Sequence, residues 1–180
     1  MFIQQLEELL EGKSSKTLSL NKLKYSRTAL GPVLSKAALD KHLDLAEAYV
    51  DRYNDREGDP VFNEAGAFLH NIFFAQLRSP TSNNRPVGPI LSLIKRRYGS
   101  FGAFKEEFAE QAMKTQGSGW IYLSKSGDIK VIKNHAIKND IVLLIDWWEH
   151  AWFTDYGTNK KKYLENIWRI INWGAVNSRM

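Results

Sequence analysis

The chain has 180 residues, of which 43% are hydrophobic and 25% charged, and its formal net charge is +5. This length fits one domain or two small layers around a shared core, and no apolar run reaches the ~20 residues that span a membrane. The chain contains no cysteine, which excludes disulfides and thiolate metal ligands. The first residues do not form a secretory signal, so we predict a soluble, cytoplasmic protein with no membrane partner.

The excess of positive charge admits three interpretations. Lysines such as Lys130, Lys133 and Lys138 are spread through the chain, as is typical of ordinary solvated faces. A positive field would also steer an anionic substrate or dock on an acidic surface. The third interpretation is nucleic-acid binding, which no motif supports, so we predict no nucleic-acid partner.

The first part of the chain predicts helices. Residues 1–20 are predicted to form an extra N-terminal helix and a linker, because their apolar residues recur at helical spacing up to Gly12. A long helix is predicted over 35–54 and a second over 60–77, with polar residues between them. Residues 21–80 are therefore predicted to form a helical domain. The apolar positions of the N-terminal helix are Phe2, Ile3, Leu6, Leu9 and Leu10.

The second part of the chain predicts a mixture of helices and strands. A polar, proline-rich segment at 79–89 is expected to link the two parts. Residues 88–180 are predicted to form an α/β domain, in which the turn KSGD at 125–128 joins two strands as a hairpin. The predicted fold class is α+β, with an N-terminal helical hairpin packed on a C-terminal α/β layer that contains a small three-stranded antiparallel sheet. The predicted helices cover 88–98, 101–115 and 160–172, and the predicted strands cover 119–125, 128–134 and 140–146.

The run DWWEHAWFTDYG at 146–157 contains an aspartate and a histidine four residues apart among aromatic residues. A carboxylate and a neutral imidazole suit manganese, iron or zinc. His42 and His70 each lie on a segment with helical apolar spacing, which could turn one imidazole toward a shared core. Together with Asp146 and His150, these residues would supply three histidines and one aspartate as metal ligands.

These segments resemble the iron/manganese superoxide dismutase family. The resemblance rests on a C-terminal signature, in which the pattern Asp-x-Trp-Glu-His-Ala is followed by aromatic residues and then by the pattern Tyr-Leu-x-x-x-Trp-x-x-x-Asn-Trp. It extends from about residue 20 to about residue 174. The signature residues are Asp146, Trp148, Glu149, His150, Ala151, Tyr163, Leu164, Trp168, Asn172 and Trp173, and the other matching segments are ALGPVLSKAALDKH at 29–42, FNEAGAFLH at 62–70, YGSFGAFKEEFAEQA at 98–112 and GSGWIYL at 117–123.

The resemblance implies a superoxide dismutase, which converts superoxide anions to oxygen and hydrogen peroxide. It implies one redox-active manganese or iron ion per chain, held by His42, His70, Asp146 and His150. Zinc does not change its oxidation state and could not perform this reaction, whereas a mixed imidazole and carboxylate set suits manganese or iron.

Two alignments with the family are possible around the first ligand, and they place either His42 or Lys41 at the ligand position. The spacing from the first ligand histidine to the following tyrosine is eight residues in the family, whereas His42 and Tyr49 are seven residues apart. Loss of one residue would convert a π-bulge into a regular helix, and both side chains would still face the metal. On this alignment Tyr49 is predicted to act in catalysis. If Tyr49 is aligned instead, Lys41 takes the ligand position, and an amine there would abolish metal binding.

The family usually supplies a glutamine that donates a hydrogen bond near the metal from one of two places, and this chain has a glutamine at neither. Gly66 stands at the first place, and His135 lies near the second, where some family members have a histidine. We therefore predict that His135 is a catalytic group, and the alternative is a surface histidine at the end of a strand. The pattern resembles manganese-type members, so it favours manganese over iron. The family's aromatic cage corresponds to Trp120, Trp148 and Phe74.

Glu149 implies a homodimer, because the matching carboxylate of the family contacts a ligand histidine of the other subunit. The loop that carries His150 would form this contact. The extra N-terminal helix, the short connection between the first two long helices and the positive charge favour an alternative. In this alternative, the chain keeps the superoxide-dismutase fold but acts as a non-enzymatic structural or assembly module, and its partner in a larger assembly would bind the N-terminal half. A metal-binding protein with a different redox or hydrolytic activity is a third interpretation.

Overall fold

The structure is a computed structural model that describes residues 16–180. The apolar positions of the predicted N-terminal helix lie outside this range. Residues 16–20 have no regular secondary structure, and they are held against the helical half by two asparagines. The Asn54 side chain accepts a hydrogen bond from the N–H of Leu18 and donates one to the Leu18 carbonyl. The Asn71 side chain accepts from the N–H of Asn21 and donates to the carbonyl of Ser19.

Two helices form the N-terminal half, α1 over Lys36–Asn54 and α2 over Pro60–Ala75. Each begins at a capping side chain, because Ser35 accepts a hydrogen bond from a backbone N–H of α1 and Asp59 accepts from two N–H groups of α2. Only the short loop 55–59 joins the two helices, so they pair as an antiparallel hairpin.

The C-terminal half contains two helices followed by an antiparallel sheet. These elements are α3 (Pro89–Tyr98), α4 (Phe101–Lys114), β1 (Gly119–Ser124), β2 (Ile129–Lys133) and β3 (Ile141–Asp146). The strand order is β2, β1, β3, and the central strand is antiparallel to both neighbours. The strands β1 and β3 are buried along their whole length, whereas β2 is an edge strand with exposed lysines. Charged residues on an edge strand protect it against pairing with other chains.

After β3 the chain forms only short helices. They are a 3-10 turn at Glu149–Ala151, α5 at Phe153–Tyr156, α6 at Lys160–Ile167, a second 3-10 turn at Trp168–Ile170 and α7 at Trp173–Asn177. The helix that we predicted over 160–172 is therefore too long. Ile171 instead has an extended backbone and forms a β-bridge with Leu77, which ends the helical turn and joins the two halves.

Gln76, the residue after α2, also joins the two halves through its buried side chain. Its Nε2 donates to the carbonyl of Leu144 in β3, and its Oε1 accepts from the N–H of Leu144 at 3.2 Å and from Arg179 Nη2 at 2.8 Å. The side chain thus satisfies one donor and one acceptor on the edge of β3 that faces away from β1. The backbone carbonyl of Gln76 accepts from the N–H of Asn172 at 2.7 Å.

The observed architecture confirms the predicted α+β class, with a helical hairpin followed by a C-terminal layer that contains a three-stranded antiparallel sheet. Buried apolar side chains from both halves form one continuous core cluster, which includes Leu39, Phe73, Phe104, Ile121 and Ile167. Among residues 16–180, no helix is long and apolar enough to cross a membrane.

We predict that Gln76→Ala lowers the free energy of unfolding by about 2 to 4 kcal/mol, because it leaves the buried N–H and carbonyl of Leu144 without partners. Equilibrium unfolding in urea measures this change. Gln116→Ala is the matched control, since Gln116 is exposed and lies outside the helices and strands. Equal stabilities of the two variants would contradict the role assigned to Gln76.

Candidate metal centre

Four potential ligands converge where the helical hairpin meets the sheet. His42 comes from α1 and His70 from α2, Asp146 ends β3, and His150 lies in the 3-10 turn that follows. Their ligating atoms all lie within 4.8 Å of one another. Three of the residues are buried, and the His150 side chain keeps 20% of its surface exposed. The cluster therefore groups three imidazoles around one carboxylate.

One oxygen of Asp146 is the centre of this cluster. Its Oδ2 lies 3.0 Å from His42 Nε2, 3.1 Å from His150 Nε2 and 3.7 Å from His70 Nε2. Its Oδ1 accepts from the backbone N–H of Trp148 at 2.8 Å, which fixes the orientation of the carboxylate. Burial raises the pKa of the Asp146 carboxyl, but the neighbouring His150 and His42 outweigh burial and hold that pKa well below its usual range. Asp146 is therefore an anion at neutral pH.

His70 contributes an unpaired ring nitrogen. Its Nδ1 lies 2.7 Å from the carbonyl of Gly66, one turn earlier in α2, so we assign the proton of the neutral ring to this nitrogen. Burial lowers the pKa of His70 to about 3, which leaves the ring neutral at pH 7. The Nε2 atom then carries a lone pair, and it is buried without a hydrogen-bond partner within the described residues. Because its neighbour Asp146 is also an acceptor, a metal cation between them would satisfy both groups.

The structure places His42, and not Lys41, in the cluster. His42 is 3% exposed, whereas Lys41 is exposed at the preceding position of α1. Tyr49 lies two turns further along α1, and its ring centroid is 5.6 Å from that of His70. In a regular α-helix a separation of seven residues is close to two full turns, which explains why both side chains lie on one face.

His135 lies beside the cluster, in the bend after β2. The indole N–H of Trp120 donates to His135 Nδ1 at 3.1 Å, so we assign the proton of the neutral imidazole to Nε2. Burial lowers the pKa of His135 to about 4. Its Nε2 is buried and has no hydrogen-bond partner in residues 16–180, while the ring of Tyr49 packs edge-on at 4.9 Å between centroids. His135 is thus a buried donor and not a surface histidine.

Aromatic rings enclose the imidazoles of the cluster. Trp120 and Phe74 pack against His70, with centroid distances of 5.0 and 5.9 Å. Trp148 stacks on His150 at 5.7 Å. Trp120 and Phe74 are buried, so these contacts separate the cluster from bulk water on the side of the core.

Phe62 belongs to the same region, although we did not predict it as a site residue. It is partly exposed in the first turn of α2, and its ring centroid lies 4.6 Å from His135 and 5.8 Å from Tyr49. A phenylalanine in the first turn of an amphipathic helix is an ordinary core position, so the sequence held no signal for this contact.

Gly66 provides the space that the Tyr49 ring occupies. A Cβ atom at residue 66 would lie 2.9 to 3.1 Å from three ring carbons of Tyr49, and the shortest of these distances is one that real Cβ atoms essentially never show. Glycine has no Cβ, so the backbone of α2 can approach the ring closely. Any larger side chain at this position would compete with Tyr49 for the same volume.

The fold and the cluster together define a class of protein, which is an α+β protein with a buried group of three imidazoles and one carboxylate that suits a single metal ion. Residues 86–179 match the family model of iron/manganese superoxide dismutases, C-terminal domain. The chain belongs to the iron/manganese superoxide dismutase family.

Relatives in this family match almost the whole chain. Superoxide dismutase (Fe) of Bacteroides fragilis (strain YCH46) is 32% identical, over 91% of this chain and 100% of its own length. Superoxide dismutase (Fe) of Legionella pneumophila is 30% identical, over 91% of this chain and 99% of its own length. Superoxide dismutase (Mn/Fe) of Porphyromonas gingivalis is 32% identical, over 91% of this chain and 99% of its own length.

We predict that Gly66→Ala destabilises the protein by about 1 to 3 kcal/mol, because the added methyl group forces the Tyr49 ring from its place. Gly102→Ala in α4 is the matched control. A Cβ there would meet only Ser100 Oγ, at 3.6 Å, so this variant should be neutral or gain up to about 1 kcal/mol from helix propensity. Chemical denaturation of both variants tests the difference, and a Gly66→Ala protein as stable as the wild type would refute it.

Proposed function

We propose that this chain is a superoxide dismutase that holds one iron or manganese ion between His42, His70, Asp146 and His150. Membership of the family and the convergence of these four side chains support the proposal. The observation that carries it is the buried lone pair of His70 Nε2, 3.7 Å from the Asp146 carboxylate. The reaction converts two superoxide anions and two protons to one oxygen and one hydrogen peroxide.

The donor set fits iron or manganese. Three neutral imidazole nitrogens and one carboxylate oxygen suit either ion, and the chain has no thiolate that would favour a structural zinc site. The negative charge of Asp146 would lower the total charge of a bound cation in this buried place. The hydrogen bond from His70 Nδ1 to the Gly66 carbonyl fixes the ring with Nε2 toward the cluster, as is usual for metal-binding histidines.

A bound iron or manganese ion would supply the one-electron exchange, which oxidises one superoxide to oxygen and reduces the next to peroxide. The residues of the chain orient the ligands and exclude water. The Trp148 N–H holds the Asp146 carboxylate, while Trp120 and Phe74 cover the imidazole of His70. Exclusion of bulk water strengthens the attraction between an anion and a positive site, because the local dielectric constant falls.

Tyr49 and His135 are proposed to donate hydrogen bonds to the reacting anion. Burial, with the added effect of the Asp146 charge, raises the pKa of the Tyr49 hydroxyl. Burial lowers the pKa of His135 to about 4. At pH 7 both groups are therefore neutral and carry a proton, at Tyr49 Oη and His135 Nε2. Reduction of superoxide to hydrogen peroxide needs two protons, which solvent supplies in each turnover, while the two groups orient the anion as hydrogen-bond donors beside the cluster.

Manganese remains the proposed preference over iron. Two observations support it, because together they match the pattern that resembles manganese-type members. Gly66 leaves no room for a larger hydrogen-bonding side chain on α2, and His135 supplies the hydrogen-bond donor from the half of the chain that contains the sheet. Reconstitution with each ion separately, followed by dismutase activity per bound ion, tests this preference. A cytoplasmic location and a larger assembly through the N-terminal half also stay predictions.

We also propose a homodimer that forms through the turn carrying Glu149 and His150. Phe153 is 53% exposed beside this turn, and the indole N–H of Trp152 is buried without a hydrogen-bond partner among the described residues. Aromatic residues are enriched at the centres of interfaces between proteins. In the dimer, the carboxylate of Glu149 would accept a hydrogen bond from the partner subunit's His150.

We predict that the wild type binds about one iron or manganese ion per chain. The variant Asp146→Asn should bind the ion at least about 100-fold more weakly, because loss of a residue that merely hydrogen-bonds to a metal ligand already lowers metal affinity by up to about that factor. Elemental mass spectrometry and a dismutase assay on the same fractions measure both effects. Asp140→Asn is the matched control, because Asp140 is a partly exposed carboxylate paired with Lys130. A loaded, active Asp146→Asn protein, or a wild type that stays empty after reconstitution, would refute the proposal.

For the dimer, we predict that Phe153→Glu weakens self-association by at least about tenfold, because it puts a charge into the apolar centre of the interface. Sedimentation equilibrium of the wild type and the variant measures this change. Val87→Glu is the control, since Val87 is 57% exposed in the linker before α3. A monomeric wild type at micromolar concentration would exclude the dimer.

A further inference from the structure

Phe62 and Trp148 cover different sides of the His135 ring. The ring centroid of Phe62 lies 4.6 Å from that of His135, and so does the centroid of Trp148. The centroids of Phe62 and Trp148 are 6.5 Å apart, so the three rings form a nearly right-angled triangle with its corner at His135. Trp148 is stacked on the face of the imidazole, at an interplanar angle of 18°. Phe62 therefore lies at the edge of the imidazole.

The ring neighbours of His135 differ in their exposure to solvent. Tyr49 and Trp120 are buried, whereas Phe62 and Trp148 are partly exposed. The indole of Trp120 already occupies His135 Nδ1, and Nε2 is buried with no hydrogen-bond partner in the described part of the chain. Of these four ring neighbours, Phe62 and Trp148 are the two that reach solvent.

Phe62 can move without disturbing the proposed ligands, whereas Trp148 cannot. The backbone N–H of Trp148 holds the Asp146 carboxylate, and its indole stacks on His150. Phe62 has ring contacts with Tyr49, His135 and Trp148, and it has none with the four proposed ligands. It also lies in the first turn of α2, and helix ends open at a lower free energy than helix centres.

We propose that Phe62 is a specificity-determining residue, which limits the size of the anion that reaches His135 and Tyr49. This inference rests on the proposed function, because it assigns the size limit of that same site. A two-atom anion such as superoxide passes after a small displacement of the Phe62 ring. A bulky anion requires the ring to leave its packing against Tyr49 and His135.

The first test uses formate and benzoate, two carboxylates of equal charge and different size. Their affinity for the manganese- or iron-loaded protein is followed through its visible absorption spectrum. We expect Phe62→Ala to bind benzoate about tenfold more tightly than the wild type does, while formate affinity changes less than about twofold, since steric exclusion in a pocket has this magnitude. Leu45→Ala is the control for lost packing, because Leu45 packs against the same small cluster around Tyr49. An unchanged ratio of benzoate to formate affinity in Phe62→Ala would overturn the inference.

The second test does not require metal or activity. Diethyl pyrocarbonate acylates an accessible imidazole nitrogen that holds no proton, so His135 reacts once its ring is open to solvent and its proton exchanges between Nε2 and Nδ1. Mass spectrometry of the peptide that contains His135 measures this rate in the protein as purified. Phe62→Ala should be modified at His135 about tenfold faster than the wild type, because the modification rate follows the population of open states. Phe62→Leu, which keeps most of the side-chain volume and the fold, should be intermediate, and Val61→Ala at the neighbouring exposed position should match the wild type.

The two tests separate the two proposals. A wild type that binds neither manganese nor iron refutes the proposed function, and the modification rate still shows whether Phe62 covers His135. A wild type that is loaded and active, with His135 modified in Phe62→Ala no faster than in the wild type, refutes only the role of Phe62. Urea denaturation of each variant verifies that it is folded under the assay conditions.

Discussion

The structure depends on the burial of one carboxylate. Asp146 has no exposed surface, and its Oδ2 lies 3.0 to 3.7 Å from three imidazole nitrogens. A charge taken this far from water is tolerated only where opposite charges or donors compensate it. Those compensating groups are His42 of α1 and His150 of the turn after β3, so neither half of the chain contains the complete set. The two halves must therefore be held in a fixed relation.

Hydrogen bonds close to the cluster hold that relation. Gln76 bonds to the backbone of Leu144, and these two residues lie only six positions after His70 and two before Asp146. The hydroxyl of Tyr163 donates to the backbone carbonyl of Asp146 at 3.1 Å. Because a helix and a strand transmit position accurately over so few residues, the contact between Gln76 and Leu144 also sets the distance between His70 and Asp146.

Features that depend on local pattern could be predicted from the sequence. The helices α1 to α4 and the three strands begin and end within two residues of their predicted bounds, since apolar periodicity and capping residues such as Ser35 define them. Features that depend on contacts between residues far apart in the chain could not be predicted from the sequence. The helix predicted over 160–172 ends early because Ile171 pairs with Leu77. Phe62 belongs to the site because its ring contacts His135, which lies in the other half of the chain. The choice between adjacent positions 41 and 42 needed the burial of each side chain, which no spacing rule supplied.

Burial acts in opposite directions on the two donors beside the cluster, and it leaves both uncharged. It raises the pKa of Tyr49, whose charged form is an anion, and it lowers the pKa of His135, whose charged form is a cation. Both groups keep a neutral donor through the physiological pH range. They therefore add no charge to the field around Asp146, and an anion that approaches them meets hydrogen-bond donors without a further negative group. The same low-dielectric surroundings that make burial of the Asp146 carboxylate unfavourable therefore keep Tyr49 and His135 neutral.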